Sequence, residues 1–154
     1  MSFFNTMNIA ATGLTAQRLR MDIIAENIAN VNTTRTADGG PYRRKTVLFE
    51  EVRDNDPFSI VFGNVMGMGS NLPAPQGLGV RVSSIREDDS LGLLKFDPTH
   101  PDADEYGYVR LPNVNIVEEM VNMISASRSY EANITAMQNA RSLTQRTLEI
   151  GQGR

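Results

Sequence analysis

The sequence predicts an α+β protein: long N- and C-terminal helices pair as an antiparallel coiled-coil-like unit, with a small β-rich insertion between them. Apolar residues recur at helical spacing near both ends of the chain. Short segments rich in β-formers, bounded by glycine or proline, occupy the middle. We therefore predict a terminal helical domain, 1–33 plus 113–154, and a β-rich region, 34–112, that includes a flexible loop at about 55–78.

The first helix is predicted over about 4–28 by apolar residues that alternate steps of three and four, with one polar interruption at Gln17. These residues are Met7, Ala10, Leu14, Met21, Ile24, Ile28 and Val31. A helix of this length is roughly 38 Å long. Because an isolated helix is marginal in water, it needs a partner helix.

The stretch ENIANVNTTRT (26–36), rich in asparagine and threonine, follows this pattern. Asparagine tolerates left-handed backbone, and its side chain hydrogen-bonds nearby main chain. The stretch is therefore expected to end the helix and turn the chain toward the inserted region.

The last helix is predicted to begin after Asn115 and to run for about 33 residues, roughly 50 Å. Asn115 is a good N-cap, and Glu118 completes a capping-box-like arrangement. Gly151 and Gly153 are expected to end the helix. Its apolar stripe consists of Ile116, Met120, Met123, Tyr130, Ile134, Met137 and Leu148, widened by Ile124 and Leu143.

Between the helices, strand-like segments at 42–52, 79–85, 91–98 and 107–112 are predicted to form short strands and hairpins. Residues 62–79 carry no charge, five glycines and two prolines. This composition predicts a flexible loop.

The composition removes several classes of function. The 154 residues carry a net charge of −3 and no cysteine, which argues against nucleic-acid binding, disulfides and thiolate chemistry. No apolar run approaches the roughly 20 residues of a membrane helix. The N-terminus lacks the pattern of a cleaved secretory signal, which leaves the cytoplasm and export without a cleaved signal as alternatives.

No group of residues in the sequence predicts a catalytic site or a cofactor site. The single histidine, His100, lies among aspartates in DPTHPDADE (97–105), but the spacing matches no zinc or calcium pattern. A Ser-His-Asp catalytic triad would have to use this same histidine. The glycines of 63–69 lack the lysine of a phosphate loop, and the basic run at 43–45 is followed by acidic residues. We predict no catalytic, cofactor-binding or metal residues, and no enzyme.

The apolar stripes favour assembly. Two helices and a small insertion offer a thin core, whereas ordering each backbone residue costs about 1–2 kcal/mol. We therefore expect stripe residues to be buried partly against neighbouring copies or homologues. The predicted subunit-packing residues are Met7, Leu14, Met21, Ile24, Ile28, Ile116, Met120, Met123, Ile124, Tyr130, Ile134, Met137 and Leu148.

The first helix closes with residues that resemble the N-x-A-N-x-N-T element of the flagellar axial family of rod and hook proteins. The matching residues are Asn27, Ala29, Asn30, Asn32 and Thr33. Residues 40–45, 104–115, 120–122 and 125–133 are similar to the corresponding segments of rod proteins. The chain departs from the family pattern at 34–37 and in an extra loop at about 55–78.

This resemblance implies a structural subunit of the bacterial flagellar basal-body rod. Such subunits leave the cell through the flagellar type III export apparatus without a cleaved signal. Their terminal helices polymerise with other rod proteins into a hollow drive shaft that crosses the periplasm, with no nucleic acid and no membrane insertion. Two alternatives from other classes are a soluble coiled-coil adaptor or secreted effector that binds an unrelated helix, and a small enzyme or ligand-binding domain centred on 97–105.

Overall fold

A computed structural model of the chain describes residues 3–37, 39–53 and 77–152. It confirms the predicted class, with a long helix at each end and a small antiparallel β insertion between them. The elements in order are α1 (Phe3–Ala29), β1 (Lys45–Arg53), β2 (Gly77–Glu87), β3 (Leu94–Phe96), β4 (Tyr108–Arg110) and α2 (Ile116–Gln152).

The two helices pair antiparallel. Asn27 of α1 meets Glu119 of α2, and fourteen residues along each helix Gly13 lies against Asn133. A Cβ added at Gly13 would lie 3.0 Å from the Asn133 side chain, so the helices approach closely there. In the described part of the chain, α1 is the only helix or strand against which α2 packs.

The start of α2 follows the prediction, but its end does not. The Asn115 side chain accepts a hydrogen bond from the Val117 N–H (3.0 Å), as expected of an N-cap. The helix then continues through Gly151, which was predicted to end it. Glycine costs about 1 kcal/mol in a helix without forbidding the helical conformation. Gly153 lies outside the described residues.

Strands β1 and β2 form an antiparallel pair that packs on α1. The prediction that 77 and 78 belong to a loop is wrong, because β2 begins two residues before the predicted segment 79–85. Gly79 has a φ of +122°, adjacent to the register shift between Val52 and Arg53. Glycine at such a bulge reaches backbone angles that other residues avoid. The rest of the predicted loop, 55–76, lies outside the described residues.

Strands β3 and β4 form a separate two-stranded hairpin, shorter than the predicted segments 91–98 and 107–112. Pro98 and Pro112 limit the ladder because proline donates no backbone hydrogen bond. Within the described residues, the hairpin packs on no other helix or strand. A side-chain hydrogen bond from Thr34 to Asp102 (2.8 Å) joins it to the segment after α1.

Neither of the described helices is both long enough and apolar enough to span a membrane.

Candidate functional site

Asn27 lies at a buried junction between both helices and the start of β1. Its side-chain N–H groups donate to the Lys45 carbonyl (2.8 Å) and to Glu119 Oε2 (3.0 Å). Its Oδ1 accepts from the Tyr42 hydroxyl (2.9 Å) and from the Lys45 N–H (2.9 Å). We call Asn27, Tyr42, Arg44, Lys45 and Glu119 the polar junction. One amide thus joins three parts of the chain that are distant in sequence.

Glu119 brings a buried carboxylate into the polar junction, with only 1% of the residue exposed. The Arg44 Nε donates to Glu119 Oε1 (2.8 Å), and Arg44 Nη2 donates to Glu118 Oε1 (3.0 Å). Burial lowers the pKa of Arg44, but its hydrogen bond to Glu119 and the nearby carboxylates raise the pKa overall. Arg44 therefore stays charged, and its guanidinium lies against the buried Glu119 side chain.

Tyr42 is held neutral at the same junction. Burial, followed by the negative charges of Glu26, Glu87 and Glu119, raises the pKa of its hydroxyl to about 12. The hydroxyl therefore keeps its proton and donates a hydrogen bond to Asn27 Oδ1. The Lys45 ammonium lies 5.6 Å from the centroid of the Tyr42 ring and pairs with Glu26 at 2.6 Å.

The polar junction fixes the register of the two helices. Several of the fully buried residues at the helix interface beside it are alanines: Ala10, Ala16, Ala126 and Ala140. In a helix pair, a polar residue among apolar interface positions specifies the register. A buried polar pair is satisfied in one register only. In α2 the residues that face α1 recur every seven positions, at Glu119, Ala126, Asn133 and Ala140. The predicted apolar stripe contains none of these four residues, although their seven-residue repeat is visible in the sequence.

The family-motif residues divide into two roles. Asn30 donates from its side chain to the Glu26 carbonyl (2.9 Å) and accepts from the Thr33 hydroxyl (3.1 Å), as expected at the end of a helix. Asn27 is instead the buried centre of the junction, a role that turn chemistry did not predict. Ala29 and Asn32 are exposed.

The predicted packing residues differ in how deeply they are buried. Ile24 is buried. The half-buried ones are Met7, Leu14, Met21, Ile28, Met123, Tyr130, Ile134 and Met137. The exposed ones are Ile116, Met120, Ile124 and Leu148.

Two groups of exposed apolar residues stand out in the described part of the chain. On α2, the side turned away from α1 carries Val117 (70% exposed), Met120, Val121 (61%) and Ile124, which we call the outer stripe. Sequence analysis missed Val117 and Val121, although their i, i+4 spacing signals a helix face. On the hairpin, Leu94, Phe96 and Tyr108 form a second exposed group, which we call the hairpin face.

The 97–105 turn is held together internally. The Asp102 N–H donates to His100 Nδ1 (3.1 Å), and the Asp102 side chain accepts from Thr34. Across the described residues, no three histidine, cysteine or carboxylate groups lie close enough to hold a metal ion.

Comparison with known proteins adds similarity over almost the whole chain. Residues 7–35 match the family described as flagella basal body rod protein, and 106–150 match the C-terminal family of the flagellar basal body rod FlgEFG proteins. The chain is 51% identical to the flagellar basal-body rod protein FlgC of Borreliella burgdorferi, over 99% of this chain and 100% of the relative. It is 44% identical to FlgC of Bacillus subtilis (98% and 99% covered) and 39% identical to that of Salmonella typhimurium (99% and 100%).

Proposed function

Because the chain belongs to the family of the flagellar basal-body rod protein FlgC, we propose that its exposed helix surfaces pack against neighbouring subunits of the rod. The chain is a structural subunit of the flagellar basal-body rod, and not an enzyme. The proposal concerns how it assembles: α1 and α2 form the assembling element, and the β region projects from it.

One observation carries the proposal. The fully buried residues of α2 are small or polar, whereas the larger apolar side chains of the outer stripe are exposed. Burying apolar surface contributes about 25 cal/mol per Å², and contiguous exposed patches mark interaction sites. A helix more than 50 Å long that rests on one partner helix has room for further neighbours.

The residues predicted to pack between subunits fit this arrangement. Ile116, Met120, Ile124 and Leu148 are exposed in the single chain and would meet a neighbouring subunit directly. The half-buried residues at the sides of the pair would complete both the internal and the external contact. The polar junction would fix the direction in which the β region leaves the helix pair.

We further propose that the chain reaches the rod through the flagellar type III export apparatus without a cleaved signal, and that the rod crosses the periplasm. The support is the resemblance of both terminal helices to the axial family.

A complementation experiment tests the packing proposal. In a strain lacking the chain, Val121→Asp is supplied in place of the wild-type protein. Val121 is mostly exposed in the single chain, so the charge should not unfold it, but burial of the unpaired charge in the rod is costly. We expect normal amounts of protein, loss of swimming and no completed rods in electron micrographs.

The control is Gln138→Asp, an exposed position of α2 about four turns beyond Ile124 and outside the outer stripe, which should swim. Swimming by the Val121→Asp strain at the wild-type rate would show that the outer stripe is not a packing surface.

A further inference from the structure

The hairpin face and the outer stripe are two different apolar surfaces of one chain. We propose that the hairpin face of one copy docks on the outer stripe of α2 in a neighbouring copy. This inference rests on the proposed function, because it names one particular contact among those that would hold the subunits together.

The hairpin face is built as a rigid surface. The pairing of Leu94 with Arg110 and of Phe96 with Tyr108 puts these four side chains on one side of the two strands. The Phe96 and Tyr108 rings meet edge to face, with centroids 5.2 Å apart. On the opposite side Val109 is buried, with 2% of its surface exposed. Aromatic and arginine side chains on a fixed support are typical of the energetically dominant part of an interface.

The support of the hairpin comes from its turn and from the segment after α1. The Asp97 N–H donates to the Gly107 carbonyl (2.9 Å), and the Asp104 N–H donates to the Tyr108 carbonyl (2.9 Å). Gly107 has a φ of +80°, and a Cβ there would lie 3.0 Å from the Phe96 ring. A surface ordered before binding loses little conformational entropy on binding.

The outer stripe has matching dimensions. Val117, Val121 and Ile124 follow one another by four and three residues, or roughly 6 and 5 Å along the helix. Leu94 and Phe96 are two strand residues apart, roughly 7 Å. The hairpin side chains can therefore lie between successive side chains of the stripe.

The charges at the two surfaces are complementary. Arg110 lies on the hairpin face beside Leu94. Glu131 is exposed on α2, two turns beyond Ile124 and on the same side of the helix. Neither side chain makes an ion pair with any other described residue. In the docked arrangement each would find an opposite charge.

A second copy is the occupant favoured by symmetry and by position. A contact between two unlike surfaces of one chain repeats from copy to copy and builds a ring or a helix instead of closing as a dimer. Strand β3 also lies outside the segments matched by the two rod-family models, 7–35 and 106–150, whereas the FlgC relatives match across it. A contact through β3 would suit recognition of the same kind of subunit.

Photo-cross-linking in swimming cells tests the proposal. Phe96 is replaced by a photoreactive phenylalanine analogue, and the adducts are identified by mass spectrometry. We expect adducts between two copies, attached within 117–131 of the second copy. The control is the same analogue at Lys95, which lies on the other side of the same strand and should lose most of this adduct.

Swimming of the Phe96-analogue strain shows that the rod has formed, so the proposed function is judged separately. In such cells, adducts with a different protein, adducts elsewhere on a second copy, or no adduct would each overturn the hairpin contact.

Charge reversal is a second test of the hairpin contact, and it does not require the photoreactive analogue. Arg110→Glu and Glu131→Arg should each reduce swimming speed, and the two together should restore it. If the double variant swims no better than either single variant, this pairing is wrong, whatever the fate of the outer stripe as a packing surface.

Discussion

Asn27→Ala removes the amide that makes four hydrogen bonds in the polar junction. Alanine leaves two donors without their acceptor, the Lys45 N–H and the Tyr42 hydroxyl, and takes one donor each from the Lys45 carbonyl and the buried Glu119 side chain. A stranded buried polar group costs about 1–3 kcal/mol. Water entering the vacated space relieves part of that cost. We expect the free energy of unfolding to fall by roughly 3–5 kcal/mol, a large share of the usual stability of a domain.

The assay is urea unfolding of the purified chain followed by circular dichroism, since the protein contains no tryptophan. Asn32→Ala is the control: it alters an exposed asparagine of the same motif and should change stability by less than about 0.5 kcal/mol. Equal unfolding midpoints for the two variants would refute the assignment of Asn27 as the centre of the junction.

The other predictions concern pH and the close approaches of glycine. The pKa of Tyr42 is raised to about 12 in the folded chain. Its contribution to stability is therefore fully present below the unfolded pKa and is lost as pH rises from about 10 to 12. Tyr42→Phe should make stability depend less on pH in this range, and an alkaline unfolding curve identical to that of the wild type would count against the buried hydroxyl. Gly79→Ala should lower the unfolding free energy by about 1–3 kcal/mol, because φ is +122° and the new Cβ would collide with the Thr12 hydroxyl; unfolding at the wild-type urea concentration would contradict this geometry. Gly13→Leu should separate the helices and lower thermal stability, whereas Gly151→Ala, with open space around it, should raise helix content slightly; the same loss in both variants would argue against a close approach at Gly13.

The helices were predictable because their signals are local. The seven-residue spacing and the Asn115 cap placed both helices within a few residues, since backbone hydrogen bonds within a helix connect near neighbours. Which side of α2 packs against α1 depends on contacts between distant residues and not on local signals. Periodicity identified Met120 and Ile124 as stripe residues, but it could not tell which side of α2 meets α1 and which stays outside.

The polar junction was hidden for a related reason. Asparagine near a helix end, as at Asn27, predicts a turn, and Glu119, an acidic residue in the first turn of α2, carries no local sign of burial. Their pairing depends on bringing together residues 92 positions apart, which no local pattern encodes. The first two residues of β2 were assigned to the loop because Gly77 follows a stretch rich in glycine and proline, which is typical of loops.

The central claim is that this rod subunit assembles through the surfaces that its helix pair leaves exposed. The most direct measurement is a cryo-electron microscopy map of the rod in isolated basal bodies, at a resolution that shows side chains. The account predicts that α1 and α2 remain paired through Asn27 and Glu119, and that Val117, Val121 and Ile124 are covered by a neighbouring subunit. An outer stripe facing open solvent, or a helix pair separated in the rod, would contradict it.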